Sequence, residues 1–243
     1  MGDILSLAGQ SYRDAWSLLQ RATSTVAIAV IILAVSSFVS LGADRLIVTS
    51  LGQQVAGTLC SVAGIWFASP YLVSLYRLLL NNEPVRPEAL RGTELSQRFF
   101  GWSAVLAFVT AVPGYIFAIF APPGLTPETA SSPETILLVW GTFLLLIAVW
   151  VFTTRTITLL PAAALGTDIT LQLALQQTRR RFWFVVGAVT LPLLPVTVLG
   201  LLLTTSTEGI VSIVFSIGMA LVVLILAVAV TANLYRWLMD NPK

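Results

Sequence analysis

One stretch decides the fold of this chain: residues 171–203 read LQLALQQTRRRFWFVVGAVTLPLLPVTVLGLLL. It begins with apolar and polar residues at helical spacing, which lead into three consecutive arginines and then Phe182 and Trp183. The twenty residues that follow, 184–203, carry no charge. Arginine stays with phosphate headgroups, aromatic rings favour the interface, and an apolar helix crosses hydrocarbon. The stretch therefore predicts a helix that lies on a membrane surface and continues into a transmembrane helix.

The composition of the whole chain is typical of a membrane protein. Of its 243 residues, 57% are hydrophobic and 10% are charged, whereas a soluble domain carries about 25% charged residues. Six apolar runs are long enough to cross about 30 Å of hydrocarbon. They are 25–41, 55–76, 101–120, 136–154, 182–203 and 210–234. These runs predict an all-α polytopic membrane protein with six transmembrane helices in a single membrane domain, 1–243.

The connections between these runs differ sharply in charge. Twelve of the thirteen cations fall in segments 1–24, 77–98, 155–181 and 236–243. The connections 42–53, 121–134 and 204–208 hold one cation, Arg45, and four acids: Asp44, Glu128, Glu134 and Glu208. Basic residues near the ends of transmembrane helices stay cytoplasmic. Both termini are therefore predicted to be cytoplasmic.

The charged positions also indicate an internal repeat of three units, approximately 1–80, 81–160 and 161–243. Each unit reads surface helix, arginine, span, outer turn, span, arginine. The opening arginines are Arg21, Arg98 and Arg181, and the closing ones, 56, 57 and 55 residues later, are Arg77, Arg155 and Arg236. Any two spans joined by a short turn would give a similar spacing. The related text around the closing arginines, LYRLLL, TTRTITLL and LYRWLM, favours tandem units in one orientation.

Each unit is expected to open with an interfacial amphipathic helix. In the first unit an apolar face is predicted from Leu5, Ala8, Tyr12, Ala15 and Leu19, and a polar face from Gln10, Arg13, Asp14 and Ser17. In the second unit, Pro87 and Glu88 indicate a helix start. In the third, Asp168 is a candidate N-cap, followed by a face of Leu171, Ala174, Leu175 and Thr178.

Residue types exclude most membrane enzymes and ion-coupled pumps. The chain has no histidine and a single cysteine, so a cofactor, a metal centre and a histidine-activated nucleophile are not expected. No charged residue lies within the six predicted runs, whereas coupled carriers usually keep ionisable groups at mid-membrane. The chain is therefore predicted to be non-enzymatic.

Eight arginines form a predicted cytoplasmic arginine rim. They are Arg21, Arg77, Arg98, Arg155, Arg179, Arg180, Arg181 and Arg236. One interpretation is control of topology with general attraction to headgroups. The other is a specific site for an anionic lipid or a phosphorylated ligand, because the planar guanidinium suits bidentate phosphate contact. Nucleic acid is not an expected partner, since the cations are spread along the membrane.

A small-residue stripe lies on the second predicted span. Ala56, Cys60, Gly64 and Ala68 follow one another at intervals of four residues. Small residues let helices approach closely in a membrane. The stripe could pack within the chain, or it could face a partner membrane protein or a second copy.

Residues 154–189, TRTITLLPAAALGTDITLQLALQQTRRRFWFVVGAV, resemble a known pattern. The stretch is similar to uncharacterised bacterial inner-membrane proteins related to the membrane domain of glycerophosphodiester phosphodiesterases. The matching residues are Arg155, Pro161, Gly166, Thr178, Arg179, Phe182 and Trp183. Arg180 stands where that family usually has glycine, and Leu175 where it often has tryptophan. The resemblance implies a helical polytopic fold in a bacterial inner membrane, but no activity, because catalysis in that enzyme belongs to a separate soluble domain.

Three hypotheses about function follow. The first is a membrane protein that organises lipids or partner proteins through the arginine rim and interfacial helices. The second is a transporter or lipid-handling protein for neutral or amphipathic solutes, and the third is an accessory subunit of a larger membrane complex. A continuous polar cavity at mid-membrane would favour transport, and a dry packed interior would favour the first hypothesis.

Overall fold

A computed structural model describes residues 2–47, 49–120, 132–168, 170–206 and 210–241, and this part of the chain is helical with no strand. Its helices are α1 (Gly2–Arg21), α2 (Thr23–Leu46), α3 (Ser50–Asn81), α4 (Pro87–Leu90), α5 (Glu94–Phe120), α6 (Pro133–Thr156), α7 (Leu159–Leu165), α8 (Leu171–Arg179), α9 (Phe182–Ser206) and α10 (Ile210–Asp240). Within these residues, six helices are long and apolar enough to cross a membrane: α2, α3, α5, α6, α9 and α10. The prediction of six helices long and apolar enough to span a membrane is confirmed, and each predicted run lies inside one of these helices.

Consecutive spans are neighbours throughout the bundle. The pairs α2–α3, α5–α6 and α9–α10 pack together, α3 also packs on α5, and α6 contacts α9. Helix α10 closes the arrangement by packing on α2 and α3. The short helix α7 packs on α3, α5 and α10, and α1 packs mainly on α10 and α9.

The buried core lies at the end of the bundle that carries the helices outside the six spans, α1, α4, α7 and α8. Its main cluster joins the first half of α2, the second half of α3 and the second half of α10, with Ala163 and Ala164 of α7. Away from this end, large apolar side chains of α6 such as Leu137 and Leu144 are exposed. Because lipid tails are as apolar as leucine, these side chains need no protein cover in a bilayer.

Helix α1 buries a different face from the predicted one. Its buried residues are Leu7, Ala8, Ser11 and Leu18, so of the predicted apolar face only Ala8 is buried, and Leu5 is 61% exposed. Asp14, predicted for the polar face, is partly buried and accepts a hydrogen bond from Asn233. The difference arises because α1 packs on α10 and α9. The position of these two helices determines which side chains of α1 are buried.

The other two lead-in helices follow the prediction more closely. Helix α4 begins at Pro87 as expected, but it is only a single turn. Gly92, two residues after its end, has a φ of +69°, a left-handed conformation that glycine adopts easily. Helix α8 buries Ala174 and Thr178 on its predicted face. Its N-cap is Thr170 rather than Asp168, because the Thr170 side chain is the one that accepts the backbone N–H of Leu173.

Part of the predicted outer side lies outside the described residues. This applies to most of the connection 121–134, including Glu128, and to Glu208. On the predicted inner side, the terminal cation Lys243 also lies outside the described residues. At the end of the connection 121–134, the Ser132 hydroxyl caps α6 by accepting the backbone N–H of Thr135 at 3.2 Å. Helix α6 therefore begins where a polar cap and Pro133 favour a helix start.

Candidate functional site

The opening arginine of each predicted unit contacts a residue that follows the closing arginine of the same unit. The three pairs are Arg21 Nη2 to Asn82 Oδ1 at 2.9 Å, Arg98 Nη1 to Asp168 Oδ1 at 2.7 Å, and Arg181 over the Trp237 ring at 4.8 Å from its centroid. Arg98 also forms an ion pair with Glu94. The first two are contacts between exposed side chains, so water and salt screen them and their contribution to stability is small.

The closing arginines bind neighbouring segments. Arg77 Nε donates to Glu83 Oε2 at 2.7 Å, and Arg155 Nη2 donates to the Leu175 carbonyl of α8 at 2.8 Å. Arg236 donates to the Leu79 carbonyl at the end of α3. Hydrogen bonds from Asn81 and Arg77 lower the pKa of Glu83 below its ordinary value. These three arginines therefore tie the ends of spans to other parts of the protein.

Arg179 and Arg180 differ from the other six arginines of the rim. Both side chains are exposed, and neither has a hydrogen-bond or ion-pair partner within the described residues. Arg180 and Arg181 line a depression of about 290 Å³ together with Gln176, Gln177 and Asn241. This depression collects guanidinium and amide groups that can donate hydrogen bonds to an anion. Trp183, close by in sequence, is 79% exposed.

The small-residue stripe packs partly within the chain. Gly64 and Ala68 are buried, whereas Ala56 and Cys60 are half-buried. A Cβ atom built on Gly64 would lie 2.8 Å from Ser36 Cβ and 3.7 Å from Leu33 Cδ2, both of α2. Contact between α2 and α3 therefore accounts for the small residue at Gly64. A partner face at Ala56 and Cys60 stays a prediction.

A lateral groove of about 690 Å³ lies between α2 and α3. Apolar side chains of both helices line it, and Tyr71, Arg91, Gly92 and Ser96 line its polar part. Arg91 Nη2 donates to the Tyr71 hydroxyl at 2.8 Å, and this hydrogen bond raises the pKa of Arg91 above its ordinary value. Sequence reasoning placed Arg91 among the cytoplasmic cations only. The glycine at position 92, just after α4, indicates a turn in the chain and could have suggested that Arg91 faces another helix.

The described residues offer no candidate metal centre, because no three side chains of His, Cys, Asp or Glu come together there. Comparison with family models, curated proteins and solved structures gives no match to this chain. The resemblance of residues 154–189 to the bacterial inner-membrane family therefore stays a prediction. A role for the protein has to be argued from its own geometry and charge.

Proposed function

We propose that the protein is a non-enzymatic, multi-pass membrane protein that binds anionic lipid at its cytoplasmic face and so organises lipids or partner proteins around it. One observation carries this proposal: Arg179 and Arg180 have free guanidinium groups in the described structure, while the other six rim arginines contact the protein itself. Each cation near an anionic leaflet contributes about 1 kcal/mol to membrane attraction.

Two exposed tryptophans, one on α1 and one at the start of α9, support an interfacial position. Trp183 and Trp16 are 79% and 61% exposed. Tryptophan is enriched at the level of lipid headgroups because its ring is apolar and its indole N–H is polar. In this proposal α1 and α8 lie along the inner surface, with Trp16 and Trp183 in the headgroup layer.

A bacterial inner membrane and cytoplasmic termini are part of the proposal. The resemblance of residues 154–189 supports the first, and the charge distribution supports the second. The rim arginines and the buried core lie at the same end of the bundle. Three tandem units, each led by an interfacial helix, also belong to the proposal. They are supported by the nearly equal spacing of the opening and closing arginines, 56, 57 and 55 residues.

Handling of an amphipathic lipid is the second candidate function. The lateral groove between α2 and α3 favours it, because the groove combines an apolar lining with one polar part. An apolar groove does not provide the polar path that a transporter of polar solutes needs. Neutral or amphipathic solutes therefore remain the relevant class for this alternative.

A single substitution tests the arginine site. We expect Arg180→Gln to weaken binding of cardiolipin to the purified protein about five-fold, because one cation contributes about 1 kcal/mol. Glutamine keeps polarity and much of the length of the side chain but removes its charge. The measurement is lipid titration followed by native mass spectrometry in mild detergent.

The matched control is Arg13→Gln. Arg13 is also exposed, lies on α1 and does not line the depression. If both variants lost the same cardiolipin affinity, binding would be general charge attraction and not a site at Arg180. An unchanged affinity in Arg180→Gln would contradict lipid binding at this place.

A further inference from the structure

The lateral groove runs along the part of the bundle where α2 and α3 lie next to each other. On α2 it extends from Ile31 to Val39. On α3 the lining extends from Cys60 to Tyr71 at the Arg91 end, a separation of eleven residues that corresponds to about 17 Å of helix axis. The hydrocarbon of one leaflet is about 15 Å thick, so the groove is about as long as the apolar part of one leaflet.

Small residues on α3 create the space. Cys60, Ala63 and Gly64 line the groove, while the larger Trp66 and Phe67 line it beside them. Trp66 is fixed by an edge-to-face contact with Phe100 of α5, with ring centroids 4.7 Å apart. The apolar lining thus includes one aromatic wall that a neighbouring helix holds in place.

The polar part of the groove carries a cation with free hydrogen-bonding capacity. Arg91 is exposed and donates to the Tyr71 hydroxyl, and it forms no ion pair within the described residues. The charge of the nearby Glu88 acts on Arg91. A guanidinium group has five N–H donors in a planar fork, so donors remain for a phosphate oxygen. Ser96 adds a hydroxyl at the same part of the groove.

The long apolar lining of the groove and the cation Arg91 at one end of it together match one kind of ligand, a lipid with a negatively charged headgroup. An acyl chain fits the apolar lining, and a phosphate attached to that chain by glycerol can meet Arg91. Arg91 belongs to the segment between α4 and α5, on the predicted cytoplasmic side, so this lipid would come from the inner leaflet. A free phosphate would leave the apolar lining unused. A zwitterionic lipid such as phosphatidylcholine would bring a quaternary ammonium group to Arg91 together with its phosphate, so a lipid with a net negative charge is favoured.

We propose that the groove between α2 and α3 binds one acyl chain of an anionic glycerophospholipid, with the lipid phosphate at Arg91. This site is separate from the depression at Arg180. The proposal deepens the second candidate function, which uses the same groove. With the first candidate function it shares the bilayer and the cytoplasmic position of the arginines, but no residue, so Arg91→Gln and Arg180→Gln test the two sites separately.

Two substitutions test the two parts of the groove in the full-length protein. Arg91→Gln removes the charge, and Ala63→Phe fills the apolar part with a side chain that starts from an exposed position. The probes are dioleoyl phosphatidylglycerol and dioleoyl phosphatidylcholine, titrated in mild detergent and counted by native mass spectrometry. We expect Arg91→Gln to weaken phosphatidylglycerol binding about ten-fold and to abolish its preference over phosphatidylcholine. Ala63→Phe should weaken binding of both lipids.

Matched controls separate the groove from general effects. Arg86→Gln removes an exposed arginine from the same connection, and Ala148→Phe adds a ring at an exposed position of α6. Neither residue lines the groove. Both control variants should bind phosphatidylglycerol like the unmodified protein. Equal binding of the two lipids by the unmodified protein, or full binding in Arg91→Gln, would overturn the proposal.

Cys60 provides a second readout, in a bilayer instead of detergent. It lines the groove and is the single cysteine of the chain. In vesicles, a membrane-permeant maleimide should label Cys60 at least about three-fold more slowly in phosphatidylglycerol than in phosphatidylcholine, and Arg91→Gln should remove that difference. Arg180→Gln should leave the difference intact, which distinguishes this site from the rim. Equal labelling rates in the two lipids would exclude an acyl chain held in the groove by its headgroup.

Discussion

Gly64→Leu is expected to force α2 and α3 apart and to lower the free energy of unfolding by about 3 kcal/mol. Gly64 is buried, and a Cβ atom on it would lie 2.8 Å from Ser36 Cβ, which is too close for van der Waals contact. Ser36 Cβ is attached directly to the α2 backbone, so rotation of the serine side chain does not relieve this contact. The lateral groove that Gly64 borders can take the outer atoms of leucine, so the contact of its Cβ atom sets most of the cost. The measurement is thermal unfolding in detergent, followed by size-exclusion chromatography of the heated samples.

Gly141→Leu is the matched control for this prediction. Gly141 lies in the spanning helix α6, is exposed, and has nothing within 4 Å of a Cβ atom built on it. The same chemical change at this position should leave the unfolding temperature unchanged or raise it slightly, because glycine is a poor helix residue. If the two variants unfold at the same temperature, α2 and α3 do not meet at Gly64.

Asn233→Leu should release the first helix from the last one and cost about 2 kcal/mol. Asn233 is buried in α10, and its Nδ2 donates to Asp14 Oδ2 at 2.9 Å and to Ser11 Oγ at 3.4 Å. Both acceptors belong to α1. Hydrogen bonds to a charged group are worth about 1.5–3 kcal/mol. Without the Asn233 amide, the partly buried Asp14 carboxylate has no side-chain partner in the described structure. Asn233 Oδ1 is buried without a hydrogen-bond partner among the described residues. Removal of this unpaired oxygen by the leucine substitution therefore offsets a small part of the lost stability.

Limited trypsin digestion provides the measurement for Asn233→Leu. Arg13 and Arg21 lie on α1, and cleavage after them should become faster when α1 detaches from α10. Asn241→Leu is the control, because Asn241 is exposed and bonds only to the nearby Trp237 carbonyl. Asp14→Ala in the Asn233→Leu background should add little further loss, since the two residues act as a pair. Independent, additive losses would mean that the pair does not hold α1.

The six spanning helices could be predicted because one local property, the length of an apolar run in the sequence, determines each of them. An apolar run of sufficient length lowers its free energy by crossing hydrocarbon, and no distant residue changes that. The start of α4 at Pro87 and the buried face of α8 also follow from nearby residues. These are the parts of the structure in which neighbours along the chain supply the physical cause.

The face of α1 could not be predicted in the same way. In a membrane protein, an apolar side chain can face either the protein or the lipid at similar cost. Leu5 and Trp16 are apolar and yet 61% exposed, while Ser11 is fully buried against α10. Hydropathy therefore indicates that a face is apolar without indicating whether protein or lipid covers it.

The partners of the rim arginines depend on the tertiary structure as well. Arg98 and Asp168 form an ion pair at 2.7 Å although 70 residues separate them in sequence. Arg155 and Leu175 belong to different helices, and only the packing of α8 on α6 brings them together. The sequence indicated eight equivalent cations, but the fold leaves only Arg179 and Arg180 free within the described residues. The groove at Arg91 was missed for the same reason.

The sorting of cations to one side of the membrane is tested most directly by the sidedness of cysteine labelling. In a Cys60→Ala background, Ser131→Cys marks the predicted outer connection, which lies outside the described residues, and Gln172→Cys marks an exposed position on α8. A membrane-impermeant maleimide applied to intact spheroplasts should label Ser131→Cys at once and Gln172→Cys only after lysis. Labelling of Gln172→Cys in intact spheroplasts, or labelling of both positions from the same side, would contradict the topology on which the lipid sites depend.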